Sequence, residues 1–316
     1  MSEVKNRKLI IDLLSQDLQA EHGAIIQYLY HAWTLDLPGI SGSLESIARE
    51  EMYHFQWLAL RIAELGGDIS VARYPVYLEA PSFKELILLD SKAEKEAVSQ
   101  YKAHIAEIVD PRTISLLERI ISDEERHAEK FALMAEKVAD VEKSPGEELS
   151  PEAEAKRNKL IEMLNSGVKH EYSVVLQYLH QAYSTKDRGF GHSLEQSAIT
   201  EMKHMGWLAE HVAEMGGKPP VERNTLILAD KEEDMIKANI EDEEKALDLY
   251  EQQIADIEDE ELKQLLETIR YHEEYHKEEF EYFLKQSVEK AAKEKTAPVN
   301  ETKRKVPFTV GSLIKK

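Results

Sequence analysis

The sequence predicts an all-α protein: two tandem four-helix bundles followed by a disordered C-terminal tail. Three observations lead there. Pro and Gly are scarce, at 10 and 13 in 316 residues, while Ala, Leu, Glu and Lys abound, a balance that favours helix. Apolar residues recur at helical spacing over long runs, as with Leu14, Leu18, Ile25 and Tyr28. The chain also repeats itself. Glu21-His22-Gly23-Ala24-Ile25-Ile26-Gln27-Tyr28-Leu29-Tyr30 answers to Glu171-Tyr172-Ser173-Val174-Val175-Leu176-Gln177-Tyr178-Leu179-His180, 150 residues later. Glu51, Met52, His54, Trp57, Gly66 and Gly67 recur as Glu201, Met202, His204, Trp207, Gly216 and Gly217 at the same offset. Glu94 and Tyr101 recur as Glu243 and Tyr250, and Glu124, His127 and Phe131 as Glu273, His276 and Phe280, now at offset 149. One residue is therefore lost between the second and third helices of the second copy. The expected organisation is repeat 1 at 1–143, a linker at 144–150, repeat 2 at 151–292 and a tail at 293–316.

The elements follow in order. A first helix over residues 4–36 ends at the breaker Leu37-Pro38-Gly39. A second starts near Ser43 and stops at Gly66-Gly67, a C-cap signal. A long connection, Asp68 to Pro81, carries Tyr74-Pro75. Ser82-Phe83-Lys84-Glu85 is a capping box opening the third helix, and Asp110-Pro111 opens the fourth with Asp as N-cap and Pro at the first helical position. Lys143-Ser144-Pro145-Gly146 closes the copy, Ser150-Pro151 caps the next, and Ser193-Leu194-Glu195-Gln196 is a capping box for the second helix of repeat 2. Short links make helices 1–2 and 3–4 antiparallel, and the longer 2–3 link has the length to cross the bundle.

Composition narrows the chemistry. With 40 Lys and Arg against 61 Asp and Glu the net charge is -21, which speaks against nucleic acid and for a surface that attracts cations. Positive charge gathers in residues 293–316. The absence of cysteine excludes disulfides, thiolate zinc sites and iron–sulfur clusters. No signal-like or transmembrane-length apolar run is present, so a cytoplasmic protein is expected, with neither membrane nor nucleic acid among its partners.

The organising stretch is Glu51-Met52-Tyr53-His54. Three residues apart, Glu and His share one helix face and can reach one metal ion. Glu124-Glu125-Arg126-His127, Glu201-Met202-Lys203-His204 and Glu273-Glu274-Tyr275-His276 repeat the pattern. Glu21, Glu94, Glu171 and Glu243 also fall on apolar stripes, where an unpaired carboxylate is costly. One Glu from each of two helices with Glu-x-x-His from the other two makes a di-iron or di-manganese carboxylate site, with zinc as an alternative. Emptied of metal, such a site should carry raised carboxyl pKa values.

On these residues each repeat resembles a bacterioferritin-type subunit over nearly its whole length; rubrerythrins and other ferritin-like proteins share the pattern. The resemblance implies two ferritin-like bundles. It implies that Glu21, Glu51, His54, Glu94, Glu124 and His127 bind one di-iron pair and Glu171, Glu201, His204, Glu243, Glu273 and His276 a second. Glu51, Glu124, Glu201 and Glu273 would bridge the metals and carry the catalysis. Tyr28 and Tyr178 are read as hydrogen-bond partners of a ligand, with a redox role as the alternative. The implied activity is a ferroxidase, oxidising Fe2+ with O2 or peroxide for iron storage. Rivals are a rubrerythrin-like peroxidase, a di-iron oxygenase acting on an organic substrate, and a non-enzymatic metal-binding scaffold. Fusion of two subunits departs from the family and leaves its usual shell and the oligomeric state open, with a homo-oligomer among the alternatives.

Further signals remain. His272-Glu273-Glu274-Tyr275-His276 fits the zinc-protease pattern, but the duplication already accounts for Glu273 and His276. Met52 and Met202 stand where bacterioferritins place a haem-ligating Met, so the two could clasp one haem between the repeats; simple packing between helices is the preferred reading. His22, His31, His104, His170, His180, His192 and His211 lie outside the ligand pattern and read as surface groups or groups behind the ligands. In the tail, Thr296-Ala297-Pro298 breaks the last helix, and a basic stretch leads to 307–316. There Thr309-Val310-Gly311-Ser312-Leu313-Ile314 resembles the targeting peptide of encapsulin cargo. That implies an encapsulin shell protein as partner and a place inside the nanocompartment.

Overall fold

A computed structural model describes residues 3–35, 37–138, 149–229 and 231–296. Among them the chain is all helix and connection, with no strand. Repeat 1 holds α1 (Glu3–Thr34), α2 (Pro38–Glu64), α3 (Phe83–Glu107) and α4 (Pro111–Lys137). Repeat 2 holds α5 (Pro151–Ser184), α6 (Arg188–Glu214), α7 (Glu232–Asp256) and α8 (Glu260–Thr296). Closing residues 143–146 and linker residues 144–148 lie outside the described residues, as do 297–316 with the docking peptide. Helix α8 continues to Thr296, four residues into the stretch read as tail.

Local chemistry sets most helix starts. Ser82 Oγ accepts from Glu85 N, Asp110 Oδ2 from Thr113 N at 2.8 Å, and Ser150 Oγ from Ala153 N, each satisfying an orphan donor of the first turn. Two starts differ from expectation. Helix α2 begins at Pro38, not near Ser43: proline's fixed φ suits the first turn, so the apparent breaker is an opener. Helix α6 begins at Arg188, because Asp187 accepts from Gly189 N and Phe190 N; Ser193 is buried inside the helix. Helices α2 and α6 end at Gly66 and Gly216, whose φ of 76° and 74° is the left-handed conformation that only glycine adopts cheaply.

Within each repeat the first helix packs on the second and the third on the fourth, while α2 and α3 do not touch. The 2–3 connection therefore crosses the bundle, and it does so along α1. Tyr74 N donates to Gln19 O, Tyr77 N to Gln27 Oε1, and His31 Nε2 lies 2.9 Å from Tyr77 O. His31 Nδ1 meets Asp90 Oδ2 of α3 at 2.9 Å, and Gln27 Nε2 donates to Asp90 Oδ1. Asp90 and His31 are both 0% exposed. In repeat 2 the buried His–Asp pair is absent: Gln181 and Asn239 stand at the positions of His31 and Asp90, Asn239 Nδ2 donates to Gln181 Oε1, and Gln177, at the position of Gln27, donates to Asp242 Oδ2 at 2.7 Å. His31→Leu strands a buried acid and is expected to cost about 3 kcal/mol in urea unfolding. The double change His31→Gln with Asp90→Asn, copying repeat 2, should stay within about 1 kcal/mol of wild type.

The repeats meet through α1 and α2 against α5 and α6, and one apolar core runs across the join, with Ile26 and Leu29 facing Leu176 and Met205. His22 and Tyr172 are equivalent positions, yet they bond each other, Nε2 to Oη at 2.6 Å. A residue that touches its own counterpart must sit on the axis relating the repeats. Burial holds His22 down to about 4, so its ring is neutral at ordinary pH. Nδ1 donates to Ala72 O, which leaves Nε2 to accept from the Tyr172 hydroxyl. His22, His31 and His104 are thus buried structural groups, the last paired with Asp17, and neither surface residues nor groups behind ligands.

Candidate metal centres

Four antiparallel helices in each repeat turn their buried acids inward at one level. In repeat 1, Glu21, Glu51, His54 and Glu124 form one group able to hold a metal ion; Glu51, Glu94, Glu124 and His127 form another. Glu51 and Glu124 belong to both. In repeat 2 the groups are Glu171, Glu201, His204 and Glu273, then Glu201, Glu243, Glu273 and His276, sharing Glu201 and Glu273. All twelve side chains proposed from sequence come together, and all are buried.

The distances match between repeats. His54 Nδ1 lies 2.7 Å from Glu51, 2.9 Å from Glu124 and 3.8 Å from Glu21. His204 Nδ1 lies 2.7, 2.9 and 3.9 Å from Glu201, Glu273 and Glu171. His127 Nδ1 faces Glu51 at 2.7 Å and Glu94 at 4.0 Å; His276 Nδ1 faces Glu201 at 2.6 Å and Glu243 at 3.8 Å. Yet Glu51 Oε1, both oxygens of Glu124, His127 Nδ1 and their repeat 2 counterparts Glu201 Oε1, Glu273 Oε1 and His276 Nδ1 make no aligned hydrogen bond. Their lone pairs converge on common points rather than on each other. Buried polar atoms are rarely left so, and carboxylate and imidazole donors in this number fit two divalent cations.

Protonation splits the carboxylates, which corrects the expectation that all would be raised. Burial, then neighbouring glutamates, pushes Glu21, Glu94, Glu171 and Glu243 well above the usual carboxylate range. Burial works the same way on Glu124, Glu201 and Glu273, but Glu94 beside Glu124 and the close positive charge of the facing histidines prevail and hold them low. The imidazoles answer in kind: against the cost of burial, carboxylates raise His127 and His276 to about 10 and His204 to about 11, and raise His54 as well. Without metal, the histidines are the cations.

Four tyrosines brace the outer acids. The Tyr178 hydroxyl donates to Glu243 and Tyr28 bonds Glu94, while Tyr101 donates to Glu21 and Tyr250 to Glu171. Burial, then the adjacent carboxylates, raises all four phenols well above their usual range, which disfavours phenolate. Tyr101 and Tyr250 carried no assigned role in the sequence. Their signal was there: Glu-x6-Tyr occurs on the first and third helices of both repeats, and two antiparallel helices with that spacing exchange partners reciprocally.

Behind the ligands the repeats diverge. His54 Nε2 approaches Asp123 Oδ2 at 3.4 Å, and His127 Nε2 meets Glu50 Oε2 at 3.1 Å. Arg126 binds both acids and, ahead of its partial burial, holds Glu50 at about 2. In repeat 2, His204 Nε2 meets His272 Nδ1 at 2.9 Å. His272 of the protease-like pattern thus backs a ligand and belongs to neither metal group. A cleft of about 280 Å³ reaches Glu21, Glu51, Glu94 and Glu124 past Ala20, Gly23, Tyr74 and Ala97.

A family model for the ferritin-like domain matches the chain twice, over residues 11–141 and 161–287. The chain belongs to the ferritin-like family. Within it, the chain is similar to a bacterioferritin of Desulfovibrio desulfuricans, 30% identical over 103 residues, which are 31% of this chain and 58% of that one. It is also similar to a 3-demethoxyubiquinol 3-hydroxylase of Alcanivorax borkumensis, 30% identical over 133 residues, 39% of this chain and 61% of that one. The matches span under two thirds of either relative's length. The solved D. desulfuricans bacterioferritin, described with its diiron site in different catalytic states, aligns at TM-score 0.42 and 22% identity, covering 48% of this chain and 98% of that one. Among the described residues of this ferritin-like protein no helix is long and apolar enough to cross a membrane.

Proposed function

We propose that this ferritin-like protein is a ferroxidase with one dimetal centre per repeat, oxidising Fe2+ with O2 or peroxide. The observation that carries it is the pair of overlapping ligand groups sharing Glu51 and Glu124, met again with Glu201 and Glu273. Shared carboxylates would hold two cations close together, and ferrous ions bound there as substrate would supply one electron each to O2 or peroxide. The protein's part is position and charge. Glu21 and Glu94, fixed by Tyr101 and Tyr28, would each bind one ion from the outside, and His54 and His127 from the other side. Four carboxylates and two neutral imidazoles balance two divalent cations. The cleft at Ala20 and Gly23 would admit a small oxidant, and the net charge of -21 would raise Fe2+ locally. Manganese fits the same donors.

Anaerobic Fe2+ titration followed by air tests this reading. About four irons per chain are expected, two for each dimetal site. Continued Fe3+ formation beyond that ratio marks a ferroxidase. Iron that cycles only with added peroxide and reductant marks a peroxidase. Binding without oxidation marks a scaffold. The cleft and the similarity to a hydroxylase favour a second reading, oxygenation of an organic substrate, which product analysis would detect.

Two further parts of the proposal concern partners. Met52 and Met202 are half-buried and line one largely apolar cavity of about 290 Å³ between the repeats, with Ile25, Leu29 and Val175. A haem seated there would be held by Met52 and Met202, with Arg49 near its carboxylates, while packing between helices remains the preferred reading of the two thioethers. We also assign residues 307–316 to docking on an encapsulin shell. Deletion of that peptide should abolish encapsulation on co-expression and leave iron oxidation intact.

A further inference from the structure

Duplication should produce twin centres, and the ligands are indeed the same. The groups behind them are not. In repeat 1 the far nitrogen of each ligand histidine faces an acid, His54 toward Asp123 and His127 toward Glu50. Arg126 clasps both acids, at 2.5 Å to Asp123 and 2.6 Å to Glu50, and Lys130 reaches Glu50 at 3.2 Å. All four residues of this network change in repeat 2. Thr200, His272, Tyr275 and Glu279 occupy the positions of Glu50, Asp123, Arg126 and Lys130. His204 Nε2 there meets a second imidazole at 2.9 Å, the two rings nearly parallel.

We propose that the two dimetal centres are unequal, with the repeat 1 centre holding divalent metal more tightly and the repeat 2 centre acting as the exchangeable one. This rests on the dimetal reading of both clusters. An imidazole whose outer N–H donates to a carboxylate is more electron-rich at the nitrogen that binds metal, and such partners commonly change metal affinity 10–100-fold. A neutral imidazole polarises the ring less. The long-range field does not reverse the order. Glu50 and Asp123 are offset by Arg126 and Lys130, so repeat 1 gains ligand basicity without a large change in net charge. The same ion pairs hold the acids in place, so the histidines they back are better oriented before metal arrives. A chain with one tight and one exchangeable centre would keep one pair of ions resident while the other passes its ions on.

The test uses the full chain and anaerobic titration with Co2+, followed by calorimetry and by visible absorption. Two classes of two ions each are expected, separated about tenfold or more. Glu51→Ala should remove the tight class and Glu201→Ala the weak one. Exchanging the partners is the decisive arm. Glu50→Thr with Asp123→His should weaken the tight class about 10–100-fold, and Thr200→Glu with His272→Asp and Tyr275→Arg should strengthen the weak one. Asp123→Glu should restore most of the affinity that Asp123→His loses, and metal-free melting should stay close to wild type throughout. Four equal ions, or loss of the tight class in Glu201→Ala, or exchanges that move neither class, would overturn the inequality while leaving the dimetal reading intact. A chain that takes up no Co2+ or Fe2+ would overturn both.

Discussion

Replacing Glu51 by Gln is expected to remove two of the four irons and about half of the Fe2+ oxidation, and adding Glu201→Gln to remove the rest. An amide has the shape of the acid but cannot bridge two cations with two anionic oxygens. Glu51 belongs to both ligand groups of its centre, so both positions fail together. A change at an outer acid such as Glu94 touches one group only and should leave partial binding. Folding is not expected to fail with the double change. His54 Nδ1 keeps Glu124 at 2.9 Å and His127 Nδ1 keeps it at 3.4 Å, so neither imidazole is stranded. Iron content by metal analysis and initial rates of Fe3+ formation check the result, with circular dichroism to confirm helix. A double variant that still oxidises Fe2+ at wild-type rate would sink the assignment of these carboxylates.

Metal binding is also expected to reverse how stability depends on pH. In the metal-free protein, His127 and His276 sit at about 10 and His204 at about 11, raised above the unfolded value. Groups raised in this way stabilise the fold fully below their unfolded pKa. That contribution is lost as pH rises through the folded value. The raised Glu21, Glu94, Glu171 and Glu243 act in the same sense. Metal-free protein should therefore melt progressively earlier from about pH 6 toward pH 10. Metal needs the opposite state, so binding should release protons, from the two histidines of each centre and from the raised outer acids. Affinity should rise at least about tenfold per pH unit between pH 6 and 8. Metal at about a hundred times its Kd adds roughly 2.7 kcal/mol for each site filled, which for a chain of 316 residues raises Tm by about 4 °C per site. Melting curves with a chelator and with Co2+ across that range, together with proton release in weak buffer, measure both effects. A metal-free Tm that climbs toward alkaline pH would contradict the charge arrangement.

The family and the buried acid and imidazole side chains that cluster were legible because both are written at helical spacing. Glu51 and His54 share a face through the helix period alone, and the duplication shows the pattern twice. Misreadings arose where one residue type serves two local roles. Leu37-Pro38-Gly39 looks like a stop, but proline opens α2; Ser193 looks like a cap, but Asp187 caps first.

The chain's own order of residues determined the helices, three of their caps (Ser82, Asp110 and Ser150) and the twelve side chains that could meet around metal, through neighbours a few positions apart, and the two-repeat plan, through a pattern met twice. Packing decided the rest. It set His22 against Tyr172 on the axis between repeats, and placed Asp123 behind one histidine and His272 behind its twin. It also pushed some of the buried acids above the usual carboxylate range and held others below it. Those outcomes depend on which helix lies beside which, and on the charge that burial concentrates there, and neither is encoded at any fixed separation along the chain.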